Sequence, residues 1–126
     1  MRLFLLAASG GAIGAGARYL VNVTCAACWG AAFPWATLIV NVVGSFVMGV
    51  VVASSLPLLG GSAAWRTFLA TGILGGFTTF SAFSLDAWDL VERQQVALAA
   101  SYVLGSVVLS ILGLAAGLAV TRAVLS

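Results

Sequence analysis

The sequence contains no histidine and no lysine, and only 6% of its 126 residues are charged. Two cysteines cannot replace histidine in a zinc site built by the protein, and histidine-based acid–base catalysis is excluded. The net charge of +2 is small and scattered, which argues against a nucleic-acid-binding surface. The chain is therefore predicted not to be an enzyme and not to bind nucleic acid.

Hydrophobic residues make up 63% of the chain. A soluble domain carries about 45–50% apolar and about 25% charged residues, so a soluble fold is excluded. Four membrane spans of about 20 residues would leave only short connections in a chain of this length. The composition predicts an all-α membrane protein with one domain, residues 1–126.

Gaps between charged residues divide the chain into four predicted transmembrane helices. The stretch from 19 to 65 has no charged residue and is too long for one span, and the region Cys25–Pro34 divides it. The polar run 86–95 is expected to be solvated and to follow the third span. The predicted spans cover residues 3–22, 35–56, 66–85 and 96–121.

The distribution of arginines predicts the orientation of the chain in the membrane only weakly. Four crossings place both termini on one side, together with Arg2, Arg66 and Arg122, whereas Arg18 and Arg93 lie toward the other. Three against two is nearly balanced under the positive-inside rule. An antiparallel homodimer of dual topology is therefore an open possibility, since inverted repeats are a common basis for transport.

Polar residues inside the first two predicted spans need an explanation, because they are costly in hydrocarbon. Gly10, Gly14 and Arg18 share one helical face, which is typical of close packing, although Arg18 would also draw anions into a vestibule. Thr37 and Asn41 lie on one stripe of the second span. The Asn41 amide either forms an interhelical hydrogen bond or donates to an anion.

The third predicted span contains an unusual segment, residues 71–84. Three glycines followed by Thr78 and Thr79 make a poor helix interior, which predicts a break that frees backbone carbonyls at membrane depth. Phe80 and Phe83 are three residues apart and would share a face beyond the break. Such a pair usually packs against lipid or core, but its positive ring edges would also hold a small anion.

The fourth predicted span carries hydroxyl groups at intervals of four residues. Tyr102, Ser106 and Ser110 fall on one face, where they indicate either packing or a hydrated ion path. Cys25 and Cys28 have the spacing of a redox motif in the expected connection after the first helix. Because a membrane thiol oxidoreductase needs a second cysteine pair, a small-residue loop is the better interpretation.

The order of these motifs resembles that of the Fluc (CrcB) family of bacterial and archaeal fluoride channels, almost from end to end. The resemblance is carried by residues 10–19, by the Thr37–Phe46 segment and, most specifically, by Gly75–Ser84. Two positions depart from the family pattern. Ala36 stands where many relatives have glycine, and Ala82 replaces the usual threonine beside Phe83, which removes one hydroxyl next to the aromatic pair.

The resemblance implies an antiparallel homodimer in the inner (plasma) membrane, with two fluoride pores and a central structural Na⁺. Backbone carbonyls of Gly75 and Thr78 from both subunits would hold the Na⁺. The residues that it implies for the fluoride pathway are Asn41, Phe80, Phe83, Thr37, Thr79, Ser81, Tyr102, Ser106, Ser110 and Arg18.

Two other functions remain as alternatives to a channel that passively exports fluoride. A small multidrug-type exporter also has four helices, but it needs a carboxylate inside the membrane, and the first acidic residue, Asp86, lies outside the predicted spans. A non-transporting assembly subunit would use every small-residue stripe for packing alone.

Overall fold

The computed structural model describes the whole chain, which is entirely helical. Four stretches, Arg2–Trp29, Trp35–Ser54, Ala63–Glu92 and Val96–Leu125, are long and apolar enough to cross a membrane. The prediction of an all-α protein with four spans is confirmed. The helices are α1 (Arg2–Trp29), α2 (Trp35–Ser54), α3 (Ala63–Arg66), a π-helical segment (Thr67–Leu74), α4 (Gly75–Phe77), α5 (Phe80–Glu92) and α6 (Val96–Leu125).

Helix α1 continues seven residues beyond the end of the predicted span, to Trp29. It ends at Gly30, whose φ of +72° is readily adopted only by a residue without a side chain. Cys25 is therefore buried on the helix, and Cys28 lies exposed one turn further on. The expectation that the two cysteines lie in a connecting loop is wrong, because no residue before Gly30 stops the helix.

The third span is interrupted where the glycines and threonines predict a break. Thr78 is extended, with ψ at 160°, and Thr79 is extended at φ −154° and ψ 127°. The Thr79 hydroxyl accepts a hydrogen bond from the Ala82 amide at 3.2 Å and so caps the first turn of α5. The chain thus resumes as a helix at Phe80, in a new direction.

Helix α5 runs past the predicted end of the third span and includes Asp86, Asp89 and Glu92. The expectation of a solvated polar run holds for Asp89 and Arg93, whose side chains are about half exposed. It is wrong for Asp86, which is partly buried and hydrogen-bonded. Its position results from packing between helices, which the local polarity of the run does not show.

The helices pack in two main pairs, α1 with the π-helical segment and α2 with α6. A Cβ atom at Gly14 would collide with the backbone of Ile73 and Phe77 in the third span. A Cβ atom at Gly117 on α6 would likewise collide with the carbonyl of Phe46 on α2. Small residues thus let the backbones approach closely, as is common between membrane helices.

We expect Gly14→Ala to destabilise the protein by about 1–3 kcal/mol or more, because the added methyl group has only rigid backbone to displace. Gly16→Ala is the matched control, since nothing lies within 4 Å of a Cβ atom at that position. Thermal unfolding and the size-exclusion profile in detergent measure both variants. Equal unfolding temperatures for the two variants would contradict the close approach of α1 to the third span.

Candidate functional site

A cleft of about 380 Å³, called here the first cleft, lies between α2, the break in the third span and α6. Its wall contains six of the ten residues predicted for the fluoride pathway, which the fold therefore brings together. These are Asn41, Thr79, Phe80, Phe83, Ser106 and Ser110.

The side-chain amide of Asn41 pairs with the backbone of Thr79 at the break. Its Nδ2 donates to the Thr79 carbonyl at 3.0 Å, and its Oδ1 accepts from the Thr79 amide at 2.8 Å. The interhelical hydrogen bond considered for Asn41 is therefore present. An amide nitrogen carries two hydrogens, and the second N–H has no partner in the chain. That N–H remains available as a donor in a residue that lines the first cleft.

The two phenylalanines that follow the break are close neighbours but differ in burial. Their ring centroids lie 5.5 Å apart with an interplanar angle of 51°. Phe83 is buried and also lies 5.3 Å from the ring of Tyr102, whereas Phe80 is 78% exposed. One ring is thus buried within the chain, and the other is largely exposed.

Ser106 carries a buried hydroxyl for which the protein supplies no hydrogen-bond partner. Its side chain is only 4% exposed, and it is the one buried side-chain polar atom without a partner. Buried polar groups are nearly always satisfied, by water where protein atoms are missing. The hydroxyl is therefore available to hydrogen-bond a water molecule or a polar ligand in the first cleft.

A second cleft, of about 330 Å³, lies where α1 ends, α2 begins and α5 passes by. At its wall the Asp86 carboxylate accepts hydrogen bonds from Thr37 Oγ1 at 2.5 Å and from Tyr102 Oη at 3.3 Å. Thr37 and Tyr102 are among the residues predicted for the pathway, whereas Asp86 is not. The available signal was its spacing of three residues from Phe83, which places both on one face of α5.

Residues of the two clefts lie one helical turn apart on α2 and on α5, and Tyr102 on α6, which donates to Asp86 of the second cleft, lies one turn from Ser106 of the first. On α6, the steps from Tyr102 to Ser110 cover two turns, about 12 Å. The result is a row of polar and aromatic groups, called here the polar track, that begins at the second cleft and crosses the first. Its members are Thr37 and Asn41 on α2, Phe83 and Asp86 on α5, and Tyr102, Ser106 and Ser110 on α6.

Two residues predicted for the pathway belong neither to the polar track nor to the wall of either cleft. Arg18 is partly buried on α1, lines neither cleft and has no hydrogen bond or ion pair within the chain. Ser81 is exposed and outside both clefts, although its hydroxyl lies 3.3 Å from that of Thr79.

The residues predicted to hold a cation lie just before the break and within it. Gly75 begins α4, and Thr78 is the extended residue that follows it. The Thr78 carbonyl accepts no hydrogen bond from backbone or side chains. No group of three or more cysteine, aspartate or glutamate side chains is arranged to hold a metal ion. Backbone oxygens are therefore the ligands that this region offers.

Comparison with known families matches residues 5–118 to the family described as "CrcB-like protein, Camphor Resistance (CrcB)". The chain is 58% identical over 118 residues to a "Fluoride-specific ion channel FluC" of Cereibacter sphaeroides, covering 94% of this chain and 93% of that protein. It is 52% identical over 120 residues to "Fluoride-specific ion channel FluC 2" of Nitrobacter hamburgensis, covering 94% and 96%. A FluC protein of Agrobacterium fabrum is 53% identical over 117 residues, covering 93% and 94%.

We expect Asn41→Leu to lower the stability of the protein by about 2–4 kcal/mol, because it leaves the amide and carbonyl of Thr79 without partners in the membrane. Thermal unfolding in detergent measures the loss. Ser45→Ala is the control on the next turn of α2, since the Ser45 side chain lines the same cleft and makes no hydrogen bond. An Asn41→Leu protein as stable as Ser45→Ala would contradict the bridging role of Asn41.

Proposed function

The chain belongs to the CrcB family, and on this premise we propose that it is a fluoride channel that lets F⁻ leave the cytoplasm passively. The proteins that it resembles at 52–58% identity are named fluoride-specific ion channels. The observation that carries the proposal is the polar track, in which the Ser106 hydroxyl and one Asn41 N–H have no partner in the protein. The chain is thus a multi-pass protein of the plasma membrane and not an enzyme.

A pore for fluoride has to replace the water that this small ion holds strongly. In the first cleft the free N–H of Asn41, the hydroxyls of Ser106 and Ser110 and the ring edges of Phe80 and Phe83 would take that role. None of these groups carries a full charge. They would therefore bind the ion weakly enough to release it, as conduction requires.

The Asp86 carboxylate has a different effect on the track, since it repels anions. In this structure it holds the hydroxyl hydrogens of Thr37 and Tyr102. Both hydroxyls rotate about single bonds, so each can turn its hydrogen from the carboxylate to a passing anion. Asp86 would therefore hold the hydroxyls of Thr37 and Tyr102 in place at the end of the track, where its negative charge would also repel an anion.

The exporter alternative depends on a carboxylate inside a span. Asp86 lies on the helical stretch Ala63–Glu92, so the absence of acidic residues from the predicted spans no longer counts against this alternative. The similarity over nearly the full length to proteins named fluoride channels favours the channel instead. The same similarity disfavours a subunit that serves assembly alone.

We propose further that the channel is an antiparallel homodimer with two pores. The single chain buries only 15 of its 126 residues and leaves the ring of Phe80 largely exposed. Lipid alone would cover this ring but would not complete an ion site around it. The near-balanced arginines suit insertion in both orientations. A second copy would cover the ring of Phe80 and bring two breaks together at the twofold axis.

The proposed structural Na⁺ would lie between the two breaks, held by backbone carbonyls of Gly75 and Thr78 from both subunits. The residues fit such an ion, because the Thr78 carbonyl lacks a hydrogen bond at a depth where water is scarce. Oxygen ligands also suit a hard cation. When bound, the ion would neutralise the carbonyl dipoles and hold the subunits together.

We expect Phe80→Ile to slow fluoride efflux from proteoliposomes at least about tenfold, which corresponds to about 1.4 kcal/mol in the barrier. The aliphatic side chain keeps the apolar bulk but lacks the positive ring edge. A fluoride electrode measures the efflux, and chloride release serves as the negative control. Phe4→Ile, an exposed position on α1 outside both clefts, is the matched control. Wild-type vesicles that retain fluoride would contradict the proposed channel.

We expect removal of Na⁺ by prolonged dialysis into N-methylglucamine buffer to lower the unfolding temperature of the dimer. A ligand at about 100 times its Kd stabilises the folded state by about 2.7 kcal/mol, and this contribution would be lost. Thermal unfolding with Na⁺ added back, and with K⁺ at equal ionic strength as the control, measures the effect. Identical unfolding with and without Na⁺ would contradict the proposed ion site.

A further inference from the structure

Arg93 is the only cationic residue in the wall of the second cleft, where Asp86 and Asp89 also lie. We propose that its guanidinium sets the rate at which anions reach the polar track from this end, by offsetting the charge of these two carboxylates. The inference rests on the proposed function, since it names a rate-controlling residue for the same path.

The guanidinium of Arg93 is held at the cleft by two contacts. Its Nη2 forms an ion pair with Asp89 Oδ2 at 2.5 Å, and its Nη1 donates to the Ala31 carbonyl at 3.3 Å. Ala31 belongs to the connection between α1 and α2, so the arginine bridges the two sides of the cleft. These contacts place its charge beside the carboxylates, with the side chain about half exposed to solvent.

The charges at this end are unfavourable for an anion without the arginine. Two carboxylates line the cleft, and Arg93 reduces their net charge by one unit. The remaining acid of the run, Glu92, accepts a hydrogen bond from Trp88 Nε1 at 3.0 Å and does not line the cleft. Because charges of one sign in a cleft change the local concentration of ions, loss of Arg93 would lower the rate of anion arrival.

The ion pair itself contributes little to folding, which makes the effect on transport separable. Arg93 directly follows the last residue of α5, four residues after Asp89, and both side chains are about half exposed, a setting in which ion pairs have small effects on stability. A substitution of Arg93 should therefore leave a folded protein. Its influence on flux should act through the electrostatic field and decline when salt screens that field.

The test measures fluoride efflux from proteoliposomes at low ionic strength and again in about 0.5 M sodium isethionate, where the Debye length falls to roughly 4 Å. The variants are Arg93→Gln, Arg93→Lys, Asp89→Asn and the double variant Asp89→Asn with Arg93→Gln. Arg122→Gln is the matched control, because it removes an equal charge from an exposed residue at the end of α6. Size-exclusion profiles establish that each variant is folded.

At low ionic strength we expect Arg93→Gln to slow efflux roughly three- to tenfold relative to Arg122→Gln. Arg93→Lys and the double variant should restore most of the rate, and the deficit of Arg93→Gln should shrink in high salt. Equal rates for Arg93→Gln and Arg122→Gln overturn the inference. A deficit that neither lysine nor the double variant restores, and that salt does not change, also overturns it and assigns Arg93 the structural role of holding Ala31. Wild-type vesicles that release no fluoride overturn the proposed function itself, which distinguishes the two failures.

Discussion

A hydrocarbon bilayer offers no hydrogen-bond partners, so an interruption in a transmembrane helix has to be compensated by the protein. The pairing of the Asn41 amide with the peptide of Thr79 supplies this compensation at the break. Because Asn41 bonds both the amide and the carbonyl, it fixes α2 in register with the break. The same register places Phe80 and Phe83 next to the polar face of α2, which is how one interhelical contact produces the first cleft.

Glycine packing brings the backbones close enough for this pairing. Gly14 on α1 lies against the backbone of Ile73 and Phe77, whereas Gly44 on α2 leaves room for the side chains of Thr78 and Phe77 at the break. Close approach of α2 to α6 brings the serine face of α6 to the same cleft. The stripes of small residues and the polar residues therefore work together, because a larger residue in the stripe would move the donors out of reach.

Along the polar track, neutral dipoles and full charges occupy different places. The first cleft contains amide, hydroxyl and aromatic groups, whereas Asp86, Asp89 and Arg93 line the second cleft at one end of the track. This separation suits a small anion, since neutral donors replace water without holding the ion permanently. Charges at the end of the track act on the concentration of ions that arrive there, which salt and substitution both change. The hydroxyls of Thr37 and Tyr102, which are hydrogen-bonded to Asp86, lie between the neutral groups and the charged groups.

The sequence by itself determined the four spans, a break within residues 71–84 and the residues that share a helical face, because hydropathy, helix propensity and periodicity are properties of single helices. Six of the ten predicted pathway residues accordingly meet in one cleft. Only the tertiary structure decided that Asp86 lies within reach of Thr37 and Tyr102, that the Ser106 hydroxyl has no partner, and that Arg18 lies apart from both clefts. These outcomes depend on how helices are rotated and shifted against one another. Small residues at the interfaces set that rotation and shift through contacts between distant parts of the chain, which no local pattern records.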